Sequence, residues 1–332
     1  MTSTNTKASA QKSGRLYAIV GILVILLAFV AVTFFLITKE SRNEQEWIRL
    51  STDLQVHSQQ VAKSAAEAVE GTRSAFYELG DSVGTISATV ETLKHGDPTR
   101  SLPALPSSIY STLSDLDTTW VRLETNSRSI LEREALVLDL ADASDVFIQA
   151  FPEIQELTDR AIRELTRNNA PGQQVFVAGR QLVLSDRILR HLKDMLRGGA
   201  GSVAAADAFT REIEFFEQTQ NALLQGSRSV GVTQVQLPSA REALLSAKLL
   251  YDNASPQLDT ILNSTTDILA VRGAADEIFI DSLSIFDQAR DLADSVLKRS
   301  DTRLWPSLWS GSLGLIVSLG LIALMVRSFL AT

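Results

Sequence analysis

The sequence predicts an all-α fold in which two transmembrane helices flank two tandem, elongated helical-bundle modules. Three observations predict it. Only 17 of the 332 residues are glycine and 8 are proline, so few tight turns can be built. Apolar residues recur at intervals of three and four, which is the period of an amphipathic helix. Two long uncharged stretches lie near the two ends of the chain, where they predict membrane spans.

The first predicted span covers residues 16–37 and follows a tail of residues 1–15. It carries no charged side chain, and about 20 apolar residues are enough to cross a bilayer. A cleavable signal peptide is the alternative, but its apolar region is usually shorter. Lys7, Lys12 and Arg15 precede the span without any acidic residue, and basic residues stay on the cytoplasmic side. We therefore expect an uncleaved span and a cytoplasmic N-terminus.

The second predicted span covers residues 304–327 and leaves a cytoplasmic stub of residues 328–332. Trp305 and Trp309 mark its outer edge and Arg327 closes it, as is typical of residues at a membrane interface. Both termini are then cytoplasmic, and the long segment between the spans lies outside the membrane.

Composition excludes several classes of function. The chain has no cysteine, which removes disulfide scaffolds, cysteine zinc sites and thiol nucleophiles. Its net charge of −8 and its lack of a basic cluster argue against binding to nucleic acid. His57, His95 and His191 stand alone, without the close spacing of metal ligands. We expect no enzymatic activity, no metal and no cofactor.

An internal repeat organises the segment between the spans into one module over residues 38–170 and a second over residues 171–303. Residues of the first half recur in the second half at nearly constant spacing, which indicates a duplicated helical unit. The matches pair Ser58 and Gly71 with Ser185 and Gly198, and Leu105-Pro106-Ser107 with Leu237-Pro238-Ser239.

In the first module, the first helix is predicted to continue the span as far as Gly71. A second helix runs to about Lys94, prolines over residues 98–106 make a loop, and helical periodicity resumes at Ser107. The first helix carries a stripe that suits either a seam inside the chain or a two-fold seam between two copies. The stripe comprises Trp47, Leu50, Leu54, His57, Val61, Ser64 and Ala68.

The second module begins after the turn-forming run at residues 168–172. Helices are predicted over residues 173–197, 203–225 and 240–253. No proline occurs between Gln257 and Pro306, so we expect one unbroken helix over residues 257–303 that leads into the second span.

Five segments of the chain resemble the N-terminal sensory region of type IV pilus methyl-accepting chemotaxis transducers. They are residues 54–68, 96–103, 169–171, 185–189 and 203–211. The resemblance implies a receptor in the bacterial inner membrane whose two periplasmic helical modules detect a stimulus connected with pili or surface contact. It also implies signalling to a kinase pathway that controls twitching motility.

The resemblance also implies partners. We expect a homodimer, and we expect a pilin or another pilus or envelope protein to act as the stimulus. The cytoplasmic kinase and adaptor would engage a linker and a methylated coiled coil, which the sequence ending at Thr332 lacks. The chain is then either a fragment of a longer receptor or a truncated relative that cannot signal alone.

Arg187, with Ser185 and Ser58, is the candidate contact for a ligand or for a second subunit. A related module in nitrate sensor kinases meets its anion with an arginine of the first outer helix, where this sequence has Gln55 and Gln60. Arg187 is otherwise a solvated side chain or the partner of a nearby acid. Three functions remain open: a sensory module, a non-signalling membrane-anchored scaffold, or an anion sensor.

Overall fold

A computed structural model describes residues 5–199, 201–303 and 308–330. Within these ranges the chain forms ten α-helices and two short 3-10 helices, with no β-strand, so the prediction of an all-helical fold is confirmed. The α-helices are α1 (Asn5–Val69), α2 (Arg73–His95), α3 (Tyr110–Leu131), α4 (Glu134–Arg167), α5 (Gly172–Arg197), α6 (Ser202–Gln225), α7 (Pro238–Ala254), α8 (Pro256–Asn263), α9 (Thr265–Thr302) and α10 (Leu308–Leu330).

Helix α1 contains the first predicted span and continues beyond it without interruption to Val69, as predicted. Among the described residues, α1 is the one helix that is long and apolar enough to cross a membrane. In α10 the residues Trp309–Ala323 form a shorter apolar stretch. The second span therefore stays a prediction, and its residues 304–307, Trp305 included, lie outside the described part of the chain.

The helix predicted over residues 257–303 is broken near its start, so that prediction was wrong there. Helix α8 ends at Asn263 and α9 begins at Thr265. Between them Ser264 has a ψ of −4°, well away from the −42° of a regular helix. The polar and β-branched residues at this point have weak helix propensity, because their side chains compete with the backbone or lose rotamer freedom.

The helices form two compact units, each assembled from separate stretches of sequence. The first unit contains Met1–Val56, Ser87–Asp117 and Phe286–Thr332. The second unit contains His57–Ile86 and Thr118–Ile285. Helices α4 to α8 belong wholly to the second unit, whereas α1, α2, α3 and α9 contribute to both. The module boundaries at residues 170 and 303 stay a prediction.

The stripe on α1 is buried inside the chain. Trp47 and Leu54 are 2% and 1% exposed in the first unit, and Val61 and Ala68 are fully buried in the second. Of the two alternatives, the burial favours an internal seam along this face of α1.

Aromatic side chains join α4, α6 and α7 in the core of the second unit. The ring of Phe151 lies 4.9 Å from that of Phe147 and 6.0 Å from that of Phe216. Phe216 also contacts Tyr251, at 5.1 Å between ring centres. The buried Tyr251 hydroxyl donates a hydrogen bond to Glu217. Burial raises the pKa of Tyr251, and the hydrogen bond to Glu217 raises it further.

The connection between α2 and α3 in the first unit is a compact hydrogen-bonded loop. Asp97 and Leu102 exchange backbone hydrogen bonds, and Leu105 donates its N–H to the carbonyl of Leu93 at 3.0 Å. Gly96 has a φ of +80°, which favours glycine. A Cβ at this position would also lie 2.6 Å from the carbonyl oxygen of Leu102. The loop therefore closes tightly against the end of α2.

The connection between α6 and α7 in the second unit has the same local geometry. Ser227 and Val232 exchange backbone hydrogen bonds, and Val235 donates its N–H to the carbonyl of Leu223 at 2.9 Å. Gly226 has a φ of +83°. The two connections, one in each half of the chain, have matching hydrogen bonds. This match supports the predicted duplication.

Candidate functional site

Arg187 is a half-exposed side chain on α5 that pairs with an acid. Its Nη1 lies 3.8 Å from Oε1 of Glu212. Glu212 also lies 3.6 Å from Nε2 of His191. Of the alternative roles for Arg187, this geometry fits the partner of a nearby acid, and a contact with a ligand stays a prediction.

Ser185 and Ser58 are both buried. Ser185 is 1% exposed and donates its hydroxyl to the carbonyl of Gln181 in the preceding turn of α5. Ser58 is fully buried on α1. Arg187 is two positions beyond Ser185 and therefore faces another side of the same helix. The structure does not bring the two serine hydroxyls to the surface on which Arg187 lies.

Helices α1 and α9 are joined in the first unit by four charged side chains close to the predicted spans. Glu40 and Glu44 lie one turn apart on α1, while Arg299 lies on α9 and Arg303 just beyond its end. Arg299 Nη1 is 3.1 Å from Oε1 of Glu40, and Arg303 Nη1 is 2.5 Å from Oε1 of Glu44. Ser300 adds a hydrogen bond of 3.0 Å to the second oxygen of Glu44. We refer to the four charged residues as the charge clamp.

The charge clamp is partly shielded from water. The side chain of Glu44 is 7% exposed and that of Arg303 is 14% exposed. Removal of one partner from a buried ion pair leaves an uncompensated charge, which is strongly unfavourable. The clamp therefore favours one register of α9 against α1.

Helices α1 and α10 pack closely in the first unit. A Cβ at Gly314 would lie 2.9 Å from Cγ2 of Val30, and one at Gly311 would lie 3.4 Å from the ring of Phe34. Ser318 is buried and donates its hydroxyl to the carbonyl of Gly314. Small residues at a helix contact allow the backbones to approach, as is common between membrane helices.

In the second unit, α9 is tied to α3 by a fork of hydrogen bonds. Asp281 on α9 is fully buried. Arg122 on α3 donates its Nε to Oδ2 of Asp281 at 3.0 Å and its Nη2 to Oδ1. The hydrogen bonds from Arg122 to this carboxylate raise the pKa of the guanidinium. The planar fork fixes the direction as well as the distance of the contact.

The charge clamp was not predicted from the sequence, although a signal for it was present. Two acids four residues apart follow the first predicted span, and two arginines four residues apart precede the second. Residues at this spacing share one helix face. Opposite charges on the two segments beside the spans could therefore have predicted the pairing.

Comparison with known proteins gives a consistent family. Residues 36–146 match the family model described as "Type IV pili methyl-accepting chemotaxis transducer N-term". The chain is 31% identical over 298 residues to "Putative methyl-accepting chemotaxis AlkN" of Alcanivorax borkumensis, covering 89% of this chain and 43% of the relative. It is 30% identical over 290 residues to "Protein PilJ" of Pseudomonas aeruginosa, covering 87% and 42%.

The chain spans less than half the length of these two relatives. The family model describes chemotaxis transducers, which are sensory proteins rather than enzymes. Over residues 36–146 the chain is therefore similar to the N-terminal domains of type IV pilus methyl-accepting chemotaxis transducers.

Proposed function

We propose that the chain is the stimulus-receiving part of a chemoreceptor held in the bacterial inner membrane by two spans. Residues 38–303 then lie in the periplasm and both termini lie in the cytoplasm. The apolar part of α1, the apolar stretch of α10 and the basic residues before the first span support this arrangement. The family match supports the sensory role.

The stimulus in this proposal is linked to the type IV pilus and is carried by a pilin or another envelope protein. The receptor works as a homodimer and signals to a kinase pathway that controls twitching motility. The kinase is engaged through a cytoplasmic region outside the matched residues, which cover less than half of the two relatives. The pilus link rests on the description of the matched family.

The proposed transmission of the stimulus through α9 rests on the charge clamp. Helix α9 is uninterrupted from Thr265 to Thr302, so it is stiff along its axis. A stimulus that shifts α9 must change its register against α1, and sliding by one helical turn, about 5.4 Å, breaks at least one pair of the clamp. The clamp thus sets the resting position from which the receptor signals.

Charge reversal in the full-length receptor tests this proposal. Arg303→Glu should shift the resting kinase output, because it places three acids together and releases α9 from α1. Adding Glu44→Arg to the same receptor should restore the output, since the pair is rebuilt with opposite polarity. Arg290→Glu is the matched control, because Arg290 is 60% exposed and pairs with Asp287 of its own helix.

Receptor amount in the membrane fraction is measured alongside kinase output and twitching. Normal output from Arg303→Glu at normal abundance would overturn transmission through α9.

A further inference from the structure

Helix α5, which lies wholly in the second unit, carries a stripe of exposed and half-exposed side chains at heptad spacing. Steps of four and three residues alternate along it, so its members share one face of the helix. Phe176 is 63% exposed and Val183 is 51% exposed, so the apolar members are uncovered. The stripe comprises Phe176, Arg180, Val183, Arg187, Arg190, Asp194 and Arg197.

This face of α5 is basic although the chain as a whole is acidic. The helix contains five basic and two acidic residues, whereas the net charge of the chain is −8. The basic residues are spread over positions 180–197 with apolar residues between them, which is why no basic cluster was evident in the sequence. The helix brings four arginines onto the same face, and Lys193 is exposed beside them.

None of the five cations donates a hydrogen bond to the described residues. Nη1 of Arg187 lies 3.8 Å from Oε1 of Glu212, which is longer than a hydrogen bond. Arg190 and Lys193 form no ion pair within the described part of the chain. In the same unit Arg241, by contrast, donates to a backbone carbonyl at 2.8 Å. The face of α5 therefore presents cationic donors that are available to a partner.

Helix α6 holds two of these arginines in position. Cζ of Arg180 lies 4.4 Å from the centre of the Phe215 ring, and Glu212 is the acidic neighbour of Arg187. A guanidinium that stacks on a ring keeps its planar fork of donors available for a carboxylate. Side chains that are already positioned lose less conformational entropy when a partner binds.

The stripe defines the chemistry of its partner. Its arginines match carboxylates, which accept the paired donors of a guanidinium. Phe176 and Val183 match apolar side chains at the same heptad spacing, which a sulfated or phosphorylated polymer does not provide. The rise of 1.5 Å per residue places Phe176 and Arg197 about 32 Å apart along the axis. A helix with acidic and apolar residues along one face satisfies the charge, the apolar contacts and the length together.

We propose that the exposed face of α5 docks an acidic amphipathic helix of another protein. The apolar residues of that helix cover Phe176 and Val183, and its carboxylates pair with Arg180, Arg187 and Arg190. The docking itself is independent of the proposed signalling function. Only the role of the docked protein as the stimulus rests on that function.

Selection from displayed helices tests the proposal on the whole chain in nanodiscs of phosphatidylcholine. Helices of three heptads vary among leucine, phenylalanine, glutamate, lysine and glutamine at positions a and d, and phage that bind Arg190→Glu are removed first. We expect acidic and apolar residues to be enriched together at these positions.

Calorimetry with the selected peptides, near physiological ionic strength, measures the contribution of the charge. Binding to Arg190→Glu should be at least about ten-fold weaker than to the unmodified chain, a change of roughly 1.4 kcal/mol. Binding to Lys248→Glu should be unchanged. Lys248 is the matched control, because its reversal changes the net charge equally and it pairs with Asp252 of its own helix α7. Equal melting temperatures check that the variants fold.

Phe176→Ser separates the docking of a helix from simple attraction between charges. It should weaken binding at least about five-fold, which is the loss of roughly 1 kcal/mol expected for a covered anchor residue. Val146→Ser is the control, since Val146 on α4 is 50% exposed and lies outside the stripe.

The proposal is overturned if no helix is enriched, or if the selected peptides bind Arg190→Glu as tightly as the unmodified chain. It is also overturned if dextran sulfate displaces the peptides while Phe176→Ser has no effect, because the face then attracts any polyanion. Self-association that Arg190→Glu abolishes, measured by analytical ultracentrifugation, would assign the face to a second copy instead. Each measurement is made without kinase, so a negative result leaves the signalling proposal standing.

Discussion

Phe216 shows how strongly a single side chain can hold the second unit together. It is fully buried and contacts the rings of Phe151 and Tyr251. Phe216→Ala should lower the free energy of unfolding by about 3–5 kcal/mol, because it removes apolar contacts and leaves a cavity. Phe176→Ala is the control: Phe176 is 63% exposed, and its loss should change stability by less than about 0.5 kcal/mol. Urea denaturation followed by circular dichroism measures both, and equal effects would contradict the packing of this aromatic cluster.

Two carboxylates beside the α2–α3 connection should make the first unit sensitive to acid. Hydrogen bonds from Arg49 lower the pKa of Glu46, and hydrogen bonds from Thr99 lower the pKa of Asp97. A carboxylate with a lowered folded-state pKa stabilises the fold above its unfolded pKa, near 4. That contribution is lost as the pH falls through the folded-state pKa.

Thermal melts between pH 6 and about pH 3 should therefore show a falling midpoint on the acid side. The double variant Glu46→Gln, Asp97→Asn should be less stable at pH 6 and should lose part of this pH dependence. If the melting midpoint of the double variant falls as steeply with decreasing pH as that of the unmodified chain, other carboxylates cause the fall.

At the scale of single contacts, the sequence predicts which residues are buried better than it predicts their partners. The stripe on α1 was recognisable from its spacing, and its apolar members are buried. The bond between Arg122 and Asp281 joins residues 159 positions apart. Periodicity shows which face of a helix each residue occupies, but it carries no information on which helix lies opposite.

Replacing either of two glycines on neighbouring elements by alanine should change stability in opposite directions. Gly71, between α1 and α2, has a φ of +91°, and a Cβ there would overlap the Cβ of Ala141. Gly71→Ala should destabilise the second unit by more than about 1 kcal/mol. Gly84 is exposed within α2 with open space around it, so Gly84→Ala should stabilise by roughly 0.5–1 kcal/mol. Denaturant midpoints compare the two variants, and a shift of the same sign in both would contradict this assignment.

Helix boundaries were predicted well where glycine or proline marks them and poorly elsewhere. The ends of α1, α2 and α5 lie within two residues of Gly71, Gly96 and Gly198. The break at Ser264 has neither residue and was missed. Propensity differences between ordinary residues are small, so packing decides whether such a position breaks a helix.

For the whole molecule, the topology can be tested directly because the chain has no cysteine of its own. A cysteine at Ser107, which is exposed at the start of a short 3-10 helix, should react with an impermeant thiol reagent in cells whose outer membrane admits the reagent. A cysteine at Ser9 should react only after the inner membrane is opened. The reverse pattern would place the termini outside and would contradict the rule for basic residues.

An internal repeat and the family resemblance were visible in the sequence, whereas the two compact units were not. Each unit combines stretches from both halves of the chain, since α9 contributes its first part to the second unit and its last part to the first. Turn signals such as residues 168–172 mark where the chain changes direction. They do not show which helices then pack together, because that depends on long-range contacts.

The close approach of Gly314 to Val30 has a mechanical consequence for α10. A close contact between two rigid rods acts as a fulcrum, and a tilt about it moves the two ends of the rod in opposite directions. With a rise of 1.5 Å per residue, Leu308 lies about 9 Å from Gly314 and Leu330 about 24 Å from it. A lateral displacement of Leu308 therefore produces a displacement more than twice as large at Leu330. A larger side chain at position 314 would shift this pivot. It would change the ratio of the two displacements without altering either end of the helix.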